Sequence, residues 1–228
     1  MARTKKYLEK RNSLGIAPKQ SLPLPEAVKK LKSVAREWES VDVAVRLGVD
    51  PRKADQNVRG TIILPHGTGR SPRVAVFTKG EKETEAREAG ADLVGLADLI
   101  EQVQQGVIDF DVAIATPDVM KDVSRVAKIL GPRGLMPNPK SGTTTQDVAN
   151  AVREFKAGKV NFRVEKAGII HATVGKGAFN EDQLRENIEY LLSEIQRLRP
   201  ASAKGQYIRS IALSSTQSPG VRVDPHTL

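Results

Sequence analysis

Asp50-Pro-Arg-Lys-Ala-Asp-Gln-Asn-Val-Arg-Gly-Thr-Ile-Ile-Leu-Pro-His-Gly-Thr-Gly-Arg70 changes character along its length. It opens as a polar turn, because Pro51 fixes its own φ and Asp50 and Asn57 favour turn geometry. It becomes a short apolar strand at Thr61–Leu64 and stops at Pro65, which has no N–H to give to a ladder. Gly67-Thr68-Gly69 then forms a flexible joint, with Arg70 beyond it. Here the chain leaves one domain and enters another.

Charge on either side of that joint supports the division. Residues 1–66 carry a net charge of +7, residues 67–156 a net of −1 and residues 157–228 a net of +3. The whole excess therefore sits on the outer segments, as expected if one unit meets a polyanion and the other does not. The chain has no cysteine, which excludes a disulfide framework, cysteine-ligated zinc and thiol catalysis. No apolar run approaches the ~20 residues that span a bilayer, and the basic N-terminus lacks the apolar core of a secretory signal. A soluble cytoplasmic protein is the expectation, with no membrane partner.

Outward from the joint, the first segment begins with a basic arm over residues 1–13 that has helical potential, and Ser21-Leu-Pro-Leu-Pro leads in extended. Pro25 starts a helix to Arg36, with Ala27, Val28, Leu31, Val34 and Ala35 at helical spacing. Val41, Val43, Val45 and Leu47 alternate with Asp42, Ala44 and Arg46, the pattern of a half-buried strand. The middle third alternates strands (from Arg73, Asp92 and Phe110) with helices (Glu81–Ala89, Ala97–Gln105, Asp118–Leu130 and Gln146–Ala157). Such alternation predicts right-handed βαβ crossovers and a small parallel sheet covered on both faces. The last third returns to strands at Lys159–Glu165 and Gly168–Val174, joined as a hairpin through Lys166-Ala167. A helix over Glu181–Leu198 and strands from Gln206 and Gly220 follow.

Neither outer segment has enough strands for a sound sheet alone. Together they make an α+β layer with two covering helices. The expected architecture is thus a discontinuous basic α+β domain, residues 1–66 and 159–228, with an inserted Rossmann-like three-layer α/β domain, residues 67–158. Gly67, Gly69 and Gly158 are the candidate interdomain hinge.

Catalytic signals are weak. His66, His171 and His226 are far apart and none lies in an HxxxH or HExxH context. No GxGxxG or Walker loop follows Val74–Phe77, and Glu81 and Glu83 begin the next helix with charge that repels phosphate. The loop Gly131–Thr143, with Arg133 and Lys140 among its glycines, reads equally as a phosphate cradle or as a rigid interdomain loop. An enzyme or binding protein using the inserted domain for a phosphorylated ligand is the alternative. Nucleic-acid binding has more behind it: basic outer segments supply the salt-dependent backbone contribution, and hydroxyls at Ser40, Ser210, Ser214, Ser215 and Thr216 suit ribose and phosphate. Aromatics make up 4% of the chain, too few for base-stacking modules, so folded RNA recognised by shape and backbone is favoured.

Long motifs then carry a resemblance: Asp50-Pro-Arg-Lys-Ala-Asp-Gln-Asn-Val-Arg-Gly-Thr, Leu64-Pro-His-Gly-Thr-Gly, Gly131-Pro-Arg-Gly-Leu-Met-Pro-Asn-Pro-Lys and Gly168-Ile-Ile-His-Ala-Thr-Val-Gly-Lys. They resemble the bacterial L-one family of large-subunit ribosomal proteins, which belongs to the mobile stalk beside the tRNA exit site. The resemblance implies a non-enzymatic protein, without cofactor or metal and monomeric off the ribosome, that binds large-subunit ribosomal RNA. It also implies transient contact with exit-site tRNA during release of deacylated tRNA, and repression of its own operon messenger.

Carried onto this chain, the RNA surface comprises Glu37, Trp38, Ser40, Asp42 and Arg46 at the first strand and Glu165, Lys166, His171 and Lys176 around the hairpin. Arg209, Ser210, Thr216, Gln217 and Ser218 complete it. Two positions depart from the family pattern. Thr216-Gln217-Ser218 stands where Thr-Met-Gly is usual, and Glu37 where Phe is usual, with Trp38 next. Trp38 lies either beside RNA or beneath the Pro25–Arg36 helix.

Overall fold

The computed structural model describes residues 5–15 and 20–225; the start of the basic arm and His226 lie outside them. The chain forms two compact units, one made of the residues up to Arg70 with those from Val160 onward, the other of Ser71–Lys159.

In chain order, helix α1 (Lys5–Leu14) precedes strand β1 (Ser21–Leu22), helix α2 (Leu24–Val34), strand β2 (Ser40–Leu47) and strand β3 (Arg59–Ile63). Helix α2 starts at the prolines and buries Leu24, Ala27, Val28 and Leu31 on one side. Along β2 every second residue (Val41, Val43, Val45, Leu47) is buried, and the residues between them are not.

The second unit follows as β4 (Val74–Phe77), α3 (Glu81–Glu88), β5 (Leu93–Gly95), α4 (Ala97–Gln104) and β6 (Val112–Ala115), in a parallel sheet of order β5-β4-β6. One continuous helix is expected over Asp118–Leu130. The chain instead alternates 3₁₀ turns at Pro117–Val119 and Ser124–Val126 with single α turns α5 (Met120–Val123) and α6 (Ala127–Leu130). Both helical forms bring positions three apart to the same side, so Val119, Val123, Val126 and Leu130 are still buried together. Helix α7 (Val148–Lys156), capped by the Asp147 carboxylate accepting from Asn150 N–H at 3.1 Å, closes this unit.

The chain returns through β7 (Lys159–Arg163), β8 (Ile169–Lys176), α8 (Glu181–Arg197), β9 (Ile208–Ser215) and β10 (Val221–Val223). The hairpin expected between β7 and β8 is only partly formed. Glu165 N–H donates to the Ile169 carbonyl at 2.8 Å around the turn, but β7 then pairs with β3 while β8 pairs with β2. The main sheet has the order β1-β10-β9-β2-β8, so β2 lies between strands roughly 130 and 170 residues away. Helices α2 and α8 cover one face and enclose the core with Val43, Ile170, Leu191, Ile211 and Leu213.

Asn187 on α8 is buried and fastens the segment leading to the joint. Its side chain accepts from His66 N–H at 3.1 Å and donates to the carbonyls of Gly67 at 3.0 Å and Val174 at 2.8 Å. Gly69 has φ +68°, and a Cβ there would lie 2.8 Å from Phe179, so no larger residue fits without rearrangement.

Candidate nucleic-acid interface

Period-two alternation sends half of each strand to the face that α2 and α8 leave open. Register places Arg222, Ala212, Ala44 and His171 side by side across β10, β9, β2 and β8. Two steps along β2, Asp42 lies between Ser214 and Thr173, and its carboxylate accepts from Thr173 Oγ1 at 2.6 Å. Two steps the other way, Arg46 pairs with Ser210 and Ile169. The middle of the face is thus floored by the small side chains of Ala44 and Ala212, flanked by Arg222 and His171. It is a shallow trough with hydrogen-bonding groups toward both ends. From Ser40 to Leu47 it extends roughly 23 Å, at about 3.3 Å per residue.

At the Arg46 end, β9 has a register shift against β2 that leaves Arg209 as an extra, exposed residue beside Ser210. Glu165 and Lys166 are exposed on the turn before β8, with Glu165 3.9 Å from His171 Nε2. At Gly48 the backbone passes close: a Cβ there would fall 2.3 Å from the Gln206 carbonyl.

At the Ser40 end, three segments meet. Gly177 N–H donates to the Glu39 carbonyl at 2.8 Å and Ala178 N–H to the Glu37 carbonyl at 3.0 Å. A Cβ on Gly177 would lie 2.1 Å from the Arg36 carbonyl oxygen, so this approach requires glycine. From the other side, Thr216 N–H donates to the Ser40 carbonyl and Ser40 N–H to Thr216 Oγ1, both at 3.1 Å. Glu37 is exposed, and Trp38 is 58% exposed with the Arg36 guanidinium 5.8 Å over its ring, rather than packed beneath α2. Lys176 faces Ser40 across the strands. Ser218 Oγ accepts from Ser215 N–H at 2.8 Å, a tie within the turn that glycine could not make.

Ser215 is a correction to the expected set of exposed hydroxyls. The alternation of β9 turns it inward, it is 4% exposed, and its Oγ donates to a carboxylate that sequence reasoning passed over, Glu39. Glu39 is fully buried, and Lys10 Nζ of α1 lies 3.2 Å from its other oxygen. Burial pushes the Glu39 carboxyl upward. The hydrogen bonds from Ser215 and Lys10, the Lys10 charge and the Gln217 backbone N–H together outweigh burial and hold it below its ordinary range. Arg222 and Thr173 were also passed over. The outward positions of β8 and β10 mark them once pairing is known, but pairing is not in the local pattern.

The second unit offers less for a polyanion. In the Gly131–Thr143 loop, Thr143 Oγ1 binds Asn138 N–H and the Ser141 hydroxyl, both at 2.8 Å, and the Thr143 carbonyl accepts from Ala115 N–H. The loop is tied to itself and to β6. Arg133 is exposed, and the Lys140 side chain lies outside the described set. A cavity of about 440 Å³ opens at the ends of β4 and β6, lined by Thr78, Lys79, Glu81, Lys82, Thr116 and Asp118. Its two carboxylates offset its two lysines, and Asp122 already pairs with Lys79 at 3.2 Å, a poor lining for phosphate. Among the described residues, no helix is long and apolar enough to cross a membrane.

Comparison with known proteins identifies the family. The ribosomal protein L1p/L10e family matches residues 27–219. The chain is 63% identical over 186 residues to the large ribosomal subunit protein uL1 of Corynebacterium diphtheriae, covering 82% of this chain and 79% of that protein. It is 54% identical over 216 residues to uL1 of Actinobacillus succinogenes, covering 94% of both. The figure is 60% over 202 residues for uL1 of Chlorobium luteolum, covering 88% of both. Sequence motifs, the mixed α/β architecture and these matches agree: the chain belongs to the ribosomal protein L1p/L10e family.

Proposed function

We propose that this chain is a large-subunit ribosomal protein of the bacterial cytoplasm that binds ribosomal RNA through the open face of its five-stranded sheet. The observation that carries this reading is the trough that runs from the Ser40 end of β2 toward the Glu165–Gly168 turn. Outward residues of β2, β8, β9 and β10 meet there with no packing role of their own. Ser40, Asp42, Arg46, His171, Lys176 and Ser210 line it or its rim. Glu37, Trp38, Glu165, Lys166, Arg209 and Thr216–Ser218 extend it at both ends. Hydroxyls, carboxylates and carbonyls in such a trough suit ribose 2′-hydroxyls, and the lysines and arginines around it suit phosphates.

In this reading the discontinuous basic unit is the RNA-binding domain and Ser71–Lys159 is a Rossmann-like insert. Gly67, Gly69 and Gly158, all at positive φ, form the hinge. The protein works as a monomer off the ribosome. On it, the protein aids release of deacylated tRNA at the exit site, and a similar structure in its own operon messenger gives it a target for repression.

Filter binding of a structured large-subunit ribosomal RNA fragment over a range of salt tests the reading. Log affinity should fall with log salt by about 0.7–0.9 per phosphate neutralised. Lys166→Ala should flatten that slope by about one unit. Absence of saturable RNA binding, with tight binding of a nucleotide instead, would favour the phosphorylated-ligand alternative.

A further inference from the structure

We propose that Glu39 is a positioning residue for RNA binding: its buried carboxylate fixes the Thr216–Ser218 turn against the start of β2. The inference rests on the RNA-binding reading above and adds to it a residue that touches no RNA.

Two regions distant in sequence, α1 and the end of β9 with the turn that follows it, converge on this one carboxylate. Lys10 Nζ approaches from α1, Ser215 Oγ from the last residue of β9, and the Gln217 backbone N–H from the turn itself. The Glu39 main chain is held as well, its N–H donating to the Arg36 carbonyl at 3.0 Å and its carbonyl accepting from Gly177. The carboxylate therefore sits on a fixed backbone and transmits that position to Thr216, Gln217 and Ser218. Without it, the turn would keep its ties to Ser40 and the internal Ser218 tie. It would lose the ties that reach beneath the sheet.

The chemistry selects a carboxylate. All approaching groups are donors, and an ionised carboxylate is acceptor-only, with about four lone-pair directions on two oxygens. A glutamine of the same shape would present an NH₂ to one of those donors. Among the described residues the charge that faces Glu39 is that of Lys10; β9 and the turn present the neutral Ser215 hydroxyl and Gln217 amide. The group is desolvated, paired with Lys10 and hydrogen-bonded by Ser215, a condition that favours one geometry for a buried charge.

The test uses the full-length protein and a structured ribosomal RNA fragment. Glu39→Gln, measured well below its melting temperature, should bind RNA at least tenfold more weakly with an unchanged salt slope, because no phosphate contact is removed. Amide resonances of Thr216, Gln217 and Ser218 in the free protein should shift. Ser215→Ala should lose several-fold, and adding it to Glu39→Gln should cost little more, since both cut the same tie. A folded Glu39→Gln variant within twofold of wild type, with only its melting temperature lowered, would overturn the proposal and leave Glu39 a stability residue. If Glu39→Gln does not fold, Ser215→Ala decides: affinity within twofold of wild type overturns the proposal. Failure of the wild-type protein itself to bind RNA would overturn the underlying reading instead.

Discussion

The five-stranded sheet and the parallel sheet are covered differently, and the difference separates a face left open from one committed to packing. In the parallel unit all four residues of β4 are buried. Ala75 and Phe77 join a core with α4 and the Val119–Leu130 run, while Val74 and Val76 join another with α3 and α7. Every side chain of that strand is committed to packing, as parallel sheets with crossover helices require. In the five-stranded sheet only one face is so committed. The other holds polar and small side chains whose removal leaves no cavity, so their identity is free to answer to a ligand.

Neighbouring residues on β2 provide the strongest way to break this comparison. Val43 is fully buried and Ala44, next to it, points into the trough. Val43→Asp puts an unpaired carboxylate into the core and should destabilise the basic unit by more than about 3 kcal/mol, seen as lost cooperative melting. Ala44→Asp should leave the melting temperature nearly unchanged and weaken RNA binding by tenfold or more, about 1.4 kcal/mol. Equal destabilisation by both would mean that the open face is in fact packed.

A smaller effect is expected from deleting the parallel unit. Arg70 joined to Val160 through a short Gly/Ser linker should melt cooperatively and keep RNA affinity within tenfold. The basic unit has its own core, and the removed segment carries almost no net charge. A larger loss in a folded product would place RNA contacts on the insert.

The smallest predicted effect concerns the parallel unit alone. The Asp92 carboxyl accepts from Val74 N–H at 2.9 Å, and this bond, ahead of the Lys156 charge, holds its pKa below the ordinary aspartate value despite burial. A depressed folded pKa contributes stability at pH above the unfolded value, ~3.9, and that contribution is lost as pH falls through the folded value. Asp92→Asn should therefore lower the melting temperature at pH 7, with the gap to wild type closing below about pH 4. RNA affinity should not change. A shift in affinity would couple the two units in a way the comparison does not contain.

Much of this was legible in the residues, for identifiable reasons. The Val41–Leu47 alternation announces a one-sided sheet, and the strand–helix rhythm from Arg73 announces a two-sided one. Periodicity could not distinguish a single helix from alternating α and 3₁₀ turns after Pro117, because both preserve the buried i, i+3 positions. Nor could it choose β3 as the partner of β7, since pairing depends on residues about a hundred positions away. At the site, Ser40, Asp42, Arg46 and Ser210 follow from alternation. Glu39 was hidden because it sits in the polar run Glu37-Trp38-Glu39-Ser40, while Lys10 and Ser215, 29 and 176 residues away, decide its burial.

The strand order has a consequence for the chain's own synthesis. The parallel unit is contiguous and can close once Lys159 has emerged. Strand β2 is translated early but waits for β8 and β9, and β1 waits for β10. Between Leu47 and Val223, at roughly 5–20 residues per second, about 9–35 s pass. A nascent protein on the ribosome therefore exposes a finished insert while its binding face is still unmade. The five-stranded sheet is completed only when nearly all of the described chain has been made.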